Sequence, residues 1–212
     1  MWSGVARSTI CGQISAIGRR AQTPGYRVIR ALLEPLRHFG TPLLDDVKPR
    51  PYLDIQKIVE PMFPPGRLNY WKASFVDDLS DELIDILVTA YRRVPSPFSN
   101  IAIEPMGGSV ARVPNTSTAF SHRNSDYSLL LLGGWLNPSA SETNVAWVRD
   151  LLNLTSPLSL RAVYVNYLGT EGNSRIREAY GPNYGRLASL KRKYDPGNLF
   201  RLNQNIEPAS AS

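Results

Sequence analysis

Polar and apolar residues alternate from Asn69 to Phe75, with Tyr70, Lys72 and Ser74 on one side and Trp71, Ala73 and Phe75 on the other. A period of two over seven residues predicts a strand with one buried face. The period then changes. Leu83, Ile86, Leu87, Ala90 and Tyr91 recur at helical spacing, Ser80 stands at the N-cap position, and Asp81 and Glu82 fill the first turn, where their charge suits the helix dipole. Arg92, Arg93 and Pro95 signal its end. Residues 100–105 and 109–113 read as two short β runs joined through Met106-Gly107-Gly108, a hairpin or a bulged pair. Residues 127–135 are apolar almost throughout, the mark of a central strand covered on both faces. A second amphipathic helix runs from Ser141 to Leu154 through Val145, Val148, Leu151 and Leu152, and residues 160–167 read as another strand. Two short helices, near 174–180 and 183–193, follow, and Asp195-Pro196 stops the second.

Before residue 69 the pattern is weaker. Val28, Leu32, Leu33 and Leu36 suggest a short or kinked helix between Gly25 and Gly40, with Pro35 inside it and His38 near its C-terminal end. Residues 41–65 are rich in Pro and Asp and are expected to be irregular. The order of elements predicts an α+β fold: a mainly antiparallel sheet with helices packed on one face, and an irregular C-terminal helical segment. Three stretches are distinguished: 1–30, 31–160 and 161–212.

The chain has 212 residues, enough for one well-buried domain, and no fixed-period repeat. Its net charge of +6 raises the question of a nucleic-acid partner, which needs clustered cations. The densest group, Lys191-Arg192-Lys193, falls on a helix with a clear apolar stripe, so it reads as a solvated face, and no nucleic-acid partner is expected. No apolar run approaches the roughly 18–20 residues that cross a bilayer, and no compact apolar stretch with a cleavage site follows Met1, so neither a membrane span nor a signal peptide is expected. Cys11 is the only cysteine and there are two histidines, which argues against an internal disulfide and a metal site.

The sharpest chemistry lies near the C-terminus. Tyr164-Val165-Asn166-Tyr167 is followed by Ala179-Tyr180-Gly181-Pro182-Asn183-Tyr184, then Lys193-Tyr194-Asp195-Pro196-Gly197-Asn198-Leu199-Phe200, and finally Asn203-Gln204-Asn205-Ile206. In that order these segments resemble the C-terminal signature of the berberine-bridge-enzyme-like FAD-linked oxidases. Phe120-Ser121-His122-Arg123 is similar to that family's Phe-x-His-Arg segment, and Met106-Gly107-Gly108-Ser109 to a Pro-x-Gly-Gly segment bordering the active cavity, although a plain turn is the better account of the two glycines. The resemblance runs from about Leu32 through Pro208.

What the resemblance implies is a flavoenzyme that oxidises an alcohol, sugar or secondary metabolite by hydride transfer to FAD, with O2 as acceptor. Tyr167 would be the base that takes the substrate's hydroxyl proton, with Tyr164 and Asn166 contacting the cofactor. An ordinary phenol is a weak base near neutral pH, so a neighbour favouring phenolate is required, and Arg123 is the candidate. Asn205, with Asn203, is a further candidate for approaching the flavin, beside a turn-stabilising role. On an ideal strand Tyr164 and Asn166 face away from Tyr167, so meeting one flavin requires the strand to end or bulge near Asn166. The alternative for these tyrosines is cross-strand packing. Asp195-Pro196-Gly197-Asn198 is expected to turn Leu199 and Phe200 back into a core.

The same resemblance implies an FAD-binding domain with a glycine-containing pyrophosphate loop ahead of this region. The sequence shows no such loop, and Cys11 does not lie in the family's flavin-attachment motif. Two readings follow: the substrate portion of a flavin oxidoreductase, with an FAD-binding domain in trans as a partner, or a non-catalytic flavin-site remnant that binds a small molecule or a partner chain.

Overall fold

Nine residues of almost continuous apolar character organise the sheet. In the computed structural model, β3 (Tyr127–Trp135) lies between β1 (Leu68–Val76) and β2 (Asn100–Pro105), antiparallel to both. The structure describes residues 31–210, except 36, 39, 40, 42–44, 59, 161, 170 and 171. It divides into two compact units, residues 1–64 and 65–212.

In the first unit residues 31–35 and 37 are helical, and the Arg37 guanidinium pairs with Asp45 at 2.6 Å. Residues 25–30, 36, 39 and 40 of the expected helix, and Cys11, lie outside the described residues, while His38 is a turn residue whose backbone N donates to Glu34 O at 3.1 Å. The stretch expected to be irregular contains a short helix, α1 (Tyr52–Lys57), and a 3-10 turn at Glu60–Met62. Pro51, with φ −56°, precedes α1, where its fixed torsion and missing N–H cost nothing.

The second unit holds the sheet. Register sets Val76 opposite Tyr127, Ser74 opposite Leu129, and Ile101 opposite Leu131. On that face pack α2 (Asp81–Tyr91) and α3 (Ser141–Thr155), burying Leu83, Leu87, Val148 and Leu151 against Val76, Leu129 and Leu131. Ser80 caps α2 as expected, its Oγ accepting from Leu83 N at 3.3 Å. The approach of α3 is close at Gly133, where a Cβ would lie 2.8 Å from both Tyr70 O and Val148 Cγ2.

Two expected pairings differ. Residues 109–113 form turns instead of a strand, and β2 pairs with β3. The reason is the partner on offer: β3 sets Leu129, Leu130 and Leu131 opposite Ile103, Ala102 and Ile101, whereas Ser109–Val113 has no apolar ladder to supply. Residues 160–167 likewise do not form a strand. Leu160 makes a single antiparallel bridge to Phe75, and Val165–Tyr167 is a 3-10 turn closed by Tyr167 N to Tyr164 O at 2.9 Å. Here the chain leaves the sheet plane and lies over its second face, where Val163 packs with Ala73, Leu130, Leu132 and Ala179, flanked by Val165 and Leu168. Apolar side chains used to cover a sheet cannot also extend it.

Ala179 belongs to α4 (Asn173–Tyr180), which ends at Gly181 with φ +50°. A 3-10 turn, Gly181–Asn183, leads into α5 (Tyr184–Tyr194), and Ile176, Tyr184 and Ala188 form a small core joined by Ile206 and Ala209. Leu199 and Phe200 do not return to a core: they are 76% and 79% exposed. Asp195 directs them outward, because its carboxylate accepts both Leu199 N (2.8 Å) and Phe200 N (3.0 Å). The chain regains the core only at Ile206.

Candidate functional site

The crossing of residues 163–168 over the second sheet face brings the expected tyrosines together. The 3-10 turn at Val165–Tyr167, in a segment that is not the expected strand, replaces the strand alternation around Asn166. It sets the Tyr164 and Tyr167 rings edge to face, centroids 5.1 Å apart at 84°. Asn166 Nδ2 donates to Tyr164 Oη at 2.8 Å. Phe120 meets Tyr164 edge-on at 5.6 Å, and His122 lies between Phe75 (5.2 Å) and Phe120 (6.2 Å). An aromatic row thus runs from the sheet to Tyr167.

Sequence reasoning missed the residue facing Tyr167. Glu104, on β2, stands opposite Ser128 on the second face of the sheet. Its carboxylate accepts from Tyr167 Oη, at 3.2 Å to Oε1 and 3.4 Å to Oε2. Burial first, then the Glu104 charge and hydrogen bond, and lastly Tyr164, push the Tyr167 pKa up to about 12. The expected perturbation was the reverse, a cation favouring phenolate. A signal was present in Ile101-Ala102-Ile103-Glu104, where a carboxylate interrupts an apolar β run. Nothing in the sequence says which phenol it meets, since that depends on residues 63 positions apart.

Arg123 is not brought to Tyr167. Its Nη1 donates to Val110 O (3.3 Å) and its Nη2 to Thr118 Oγ1 (2.8 Å), while its backbone N donates to Asn115 Oδ1 (3.1 Å). The guanidinium also lies over the Phe120 ring, 5.2 Å from its centroid. Arg123 therefore fastens the 110–118 loop beneath the aromatic row. Two further bonds secure that loop: buried Asn183 donates Nδ2 to Asn115 O (2.7 Å) and Thr118 O (3.1 Å), and Arg186 Nη1 donates to Thr116 O (3.3 Å). His122 Nε2 lies 3.0 Å from the carbonyls of both Glu178 and Ala179, an arrangement in which an Nε2–H donates to the C-terminal end of α4.

Asn205 lies in the C-terminal segment after α5, its N–H donating to Asn203 O at 3.0 Å. Neighbouring Gln204 donates Nε2 to Leu168 O at 2.8 Å, which ties the C-terminal segment to the residue after Tyr167. Asn205 Oδ1 is buried with no hydrogen-bond partner among the described residues, an acceptor open to an N–H or O–H. A surface depression of about 470 Å³ lies elsewhere, along one helix, lined by Ser141, Glu142, Val145, Ala146, Arg149 and Asp150. One helix face gives no opposing wall, so the tyrosine row is the better candidate. Among the described residues, no group of three or more His, Cys, Asp or Glu side chains is placed to hold a metal, and no helix is long and apolar enough to cross a membrane.

Comparison with known proteins places this geometry. Residues 163–207 match the family described as berberine and berberine like. The FAD-linked oxidoreductase YvdP of Bacillus subtilis (strain 168) is 34% identical over 183 residues, which cover 84% of this chain and 41% of that protein. An FAD-linked oxidoreductase of Dictyostelium discoideum is 29% identical over 178 residues, covering 83% of this chain and 39% of the relative. The chain spans about two-fifths of the length of these relatives. Among solved structures, wild-type BBE-like 1 of Physcomitrella patens superposes with a TM-score of 0.59 at 24% identity, covering 68% of this chain and 31% of that one. The grass pollen allergen Phl p 4, described as having glucose dehydrogenase activity, superposes with a TM-score of 0.61 at 21% identity, covering 68% and 33%.

Proposed function

We propose, from the premise that this chain is a berberine-bridge-enzyme-like FAD-linked oxidase over the portion it spans, that it forms the substrate side of an FAD-dependent oxidoreductase. The substrate is an alcohol, sugar or related secondary metabolite, the electron acceptor is O2, and the FAD-binding portion is the partner. The Tyr167–Glu104 pair is the observation that carries this reading.

A phenol held neutral to about pH 12 is not a free phenolate base. Paired with a carboxylate, it can still relay a proton. Tyr167 Oη takes the proton of a substrate hydroxyl as its own passes to Glu104, so negative charge never has to rest on the phenol. Bound FAD would supply the acceptor for the hydride that leaves the carbinol carbon. The residues fit one side of such a ring: the buried Asn205 Oδ1 awaits a donor, and Tyr164 and Asn166, bonded to each other, share the turn with Tyr167. Arg123 serves as a positioning residue through Phe120.

The test is Tyr167→Phe and Glu104→Gln in the reconstituted or full-length flavoenzyme. Each is expected to retain flavin and to lower turnover by about 10²–10⁴, the usual contribution of a positioned proton acceptor. Turnover near the parent rate in either variant would remove that residue from the relay.

A further inference from the structure

Register lays three cross-strand rows over the second face of the sheet. Trp71, Leu132 and Asn100 form the first, Ala73, Leu130 and Ala102 the second, and Phe75, Ser128 and Glu104 the third. The middle of this face is closed by the chain itself, since Ala73, Leu130 and Leu132 are buried with Val163 and Ala179. Its border stays partly open. Ala102, Val165 and Leu168 stand there with Tyr167, each only partly buried. Ala102 precedes Glu104 by two residues on β2 and so shares its face, Leu168 follows Tyr167, and Val165 belongs to the same 3-10 turn. Amide side chains along this border bond within the chain: Asn166 Nδ2 donates to Tyr164 Oη, Asn100 Oδ1 accepts from Ile101 N at 2.8 Å, and Gln204 Nε2 donates to Leu168 O. Ser128, beside Glu104, is buried. The Tyr167–Glu104 pair therefore stands as a single polar station beside an apolar wall.

A site of this kind fixes orientation through its few polar groups and takes affinity from apolar contact. We propose that Ala102, Val165 and Leu168 are specificity-determining residues, and that they select an alcohol whose one hydroxyl is carried on a hydrocarbon body while rejecting sugars and other polyols. The reacting hydroxyl meets Tyr167 Oη, and the body lies along the wall that Ala102 and Leu168 begin. A polyol set down in the same way turns its further hydroxyls toward side chains with no donor or acceptor. Each such hydroxyl gives up its hydrogen bonds to water and gains none in return. One hydroxyl too many against an apolar wall lowers kcat/KM by about 10²-fold. The inference rests on reading the chain as the substrate side of a flavin oxidase, and it separates the alcohols from the sugars that this reading leaves together.

The experiment compares matched substrates on the reconstituted or full-length flavoenzyme: cyclohexanol against myo-inositol, one carbon ring bearing a single hydroxyl or six, and benzyl alcohol against glucose. Anaerobic flavin reduction gives kcat/KM for each. The apolar member of each pair is expected to react at least about 10²-fold better. Ala102→Ser places a hydroxyl on the wall and should narrow that gap about tenfold, through KM. Equal reactivity or a preference for the polyol in either pair overturns the proposal, as does an unchanged gap in Ala102→Ser. A second readout needs no turnover. In the full chain carrying ¹³C at alanine and leucine methyl groups, cyclohexanol should shift the Ala102 and Leu168 signals, and myo-inositol at the same concentration should not. Shifts with myo-inositol, or none with cyclohexanol, count against the proposal. Tyr167→Phe tells the two readings apart. An apolar preference whose turnover ignores that substitution sinks the relay alone; a Tyr167-dependent oxidase of polyols sinks this inference alone. If none of the four compounds reduces the flavin, the methyl shifts decide.

Discussion

Glu104→Gln keeps the size of the side chain while removing the charge that Tyr167 Oη meets at 3.2 and 3.4 Å. Tyr167 stands at about 12 against an ordinary value of 10.0, and burial is the largest cause, ahead of the Glu104 charge and hydrogen bond. Burial survives the substitution. The Tyr167 midpoint should therefore fall below about 12 and remain above the ordinary value. A raised phenol pKa favours the folded state fully below about pH 10 and loses that contribution as pH climbs through about 12. In Glu104→Gln this loss is complete at lower pH. The assay is a pH titration of the protein carrying ¹³C at the tyrosine ring carbon that bears oxygen, with Tyr167 assigned through Tyr167→Phe; circular dichroism confirms that the fold persists. A Tyr167 midpoint that stays at about 12, or rises, would refute the argument that Glu104 couples to this phenol.

Other expectations concern the frame around the site. Gly133→Ala puts a Cβ 2.8 Å from a backbone carbonyl and from Val148, and should cost about 1–3 kcal/mol in urea unfolding; an unchanged midpoint would mean that α3 can withdraw freely. Asn183→Ala removes the amide that joins Asn115 O and Thr118 O, and should cost about 1–3 kcal/mol. Faster hydrogen exchange across 110–119 should accompany it, and an unaltered exchange pattern would show that the loop is held by other contacts. Ser80→Ala should cost about 1 kcal/mol through the lost cap on Leu83 N, read by thermal unfolding, with the aromatic row undisturbed.

Local pattern was sufficient where each residue's role depends on its near neighbours. Alternation from Asn69 to Phe75 and the apolar run from Tyr127 to Trp135 gave β1 and β3 nearly to their ends, and Ser80, Asp81 and Glu82 marked the start of α2. The ordered C-terminal segments also led to the family that residues 163–207 match. Pairing was another matter. Whether β2 would close a hairpin with residues 109–113 or join β3 depended on which partner offered an apolar ladder, a comparison between segments and not a property of either.

The site divides along the same line. Tyr164, Asn166 and Tyr167 could be grouped because they are adjacent in sequence, but the 3-10 turn that brings them together stands where a strand was expected. Glu104 was not, because its meeting with Tyr167 exists only once β2 joins the sheet and residues 163–168 cross its second face. Arg123 was chosen from its place in the Phe-x-His-Arg segment, yet its donors serve the 110–118 loop. Leu199 and Phe200 looked like core residues by composition, but a carboxylate that accepts their backbone N–H groups aims them outward. Period and propensity are local and were determined by the sequence itself; the sign of a pKa shift and the direction of an apolar side chain depend on charges and surfaces that only tertiary structure brings within a few ångströms.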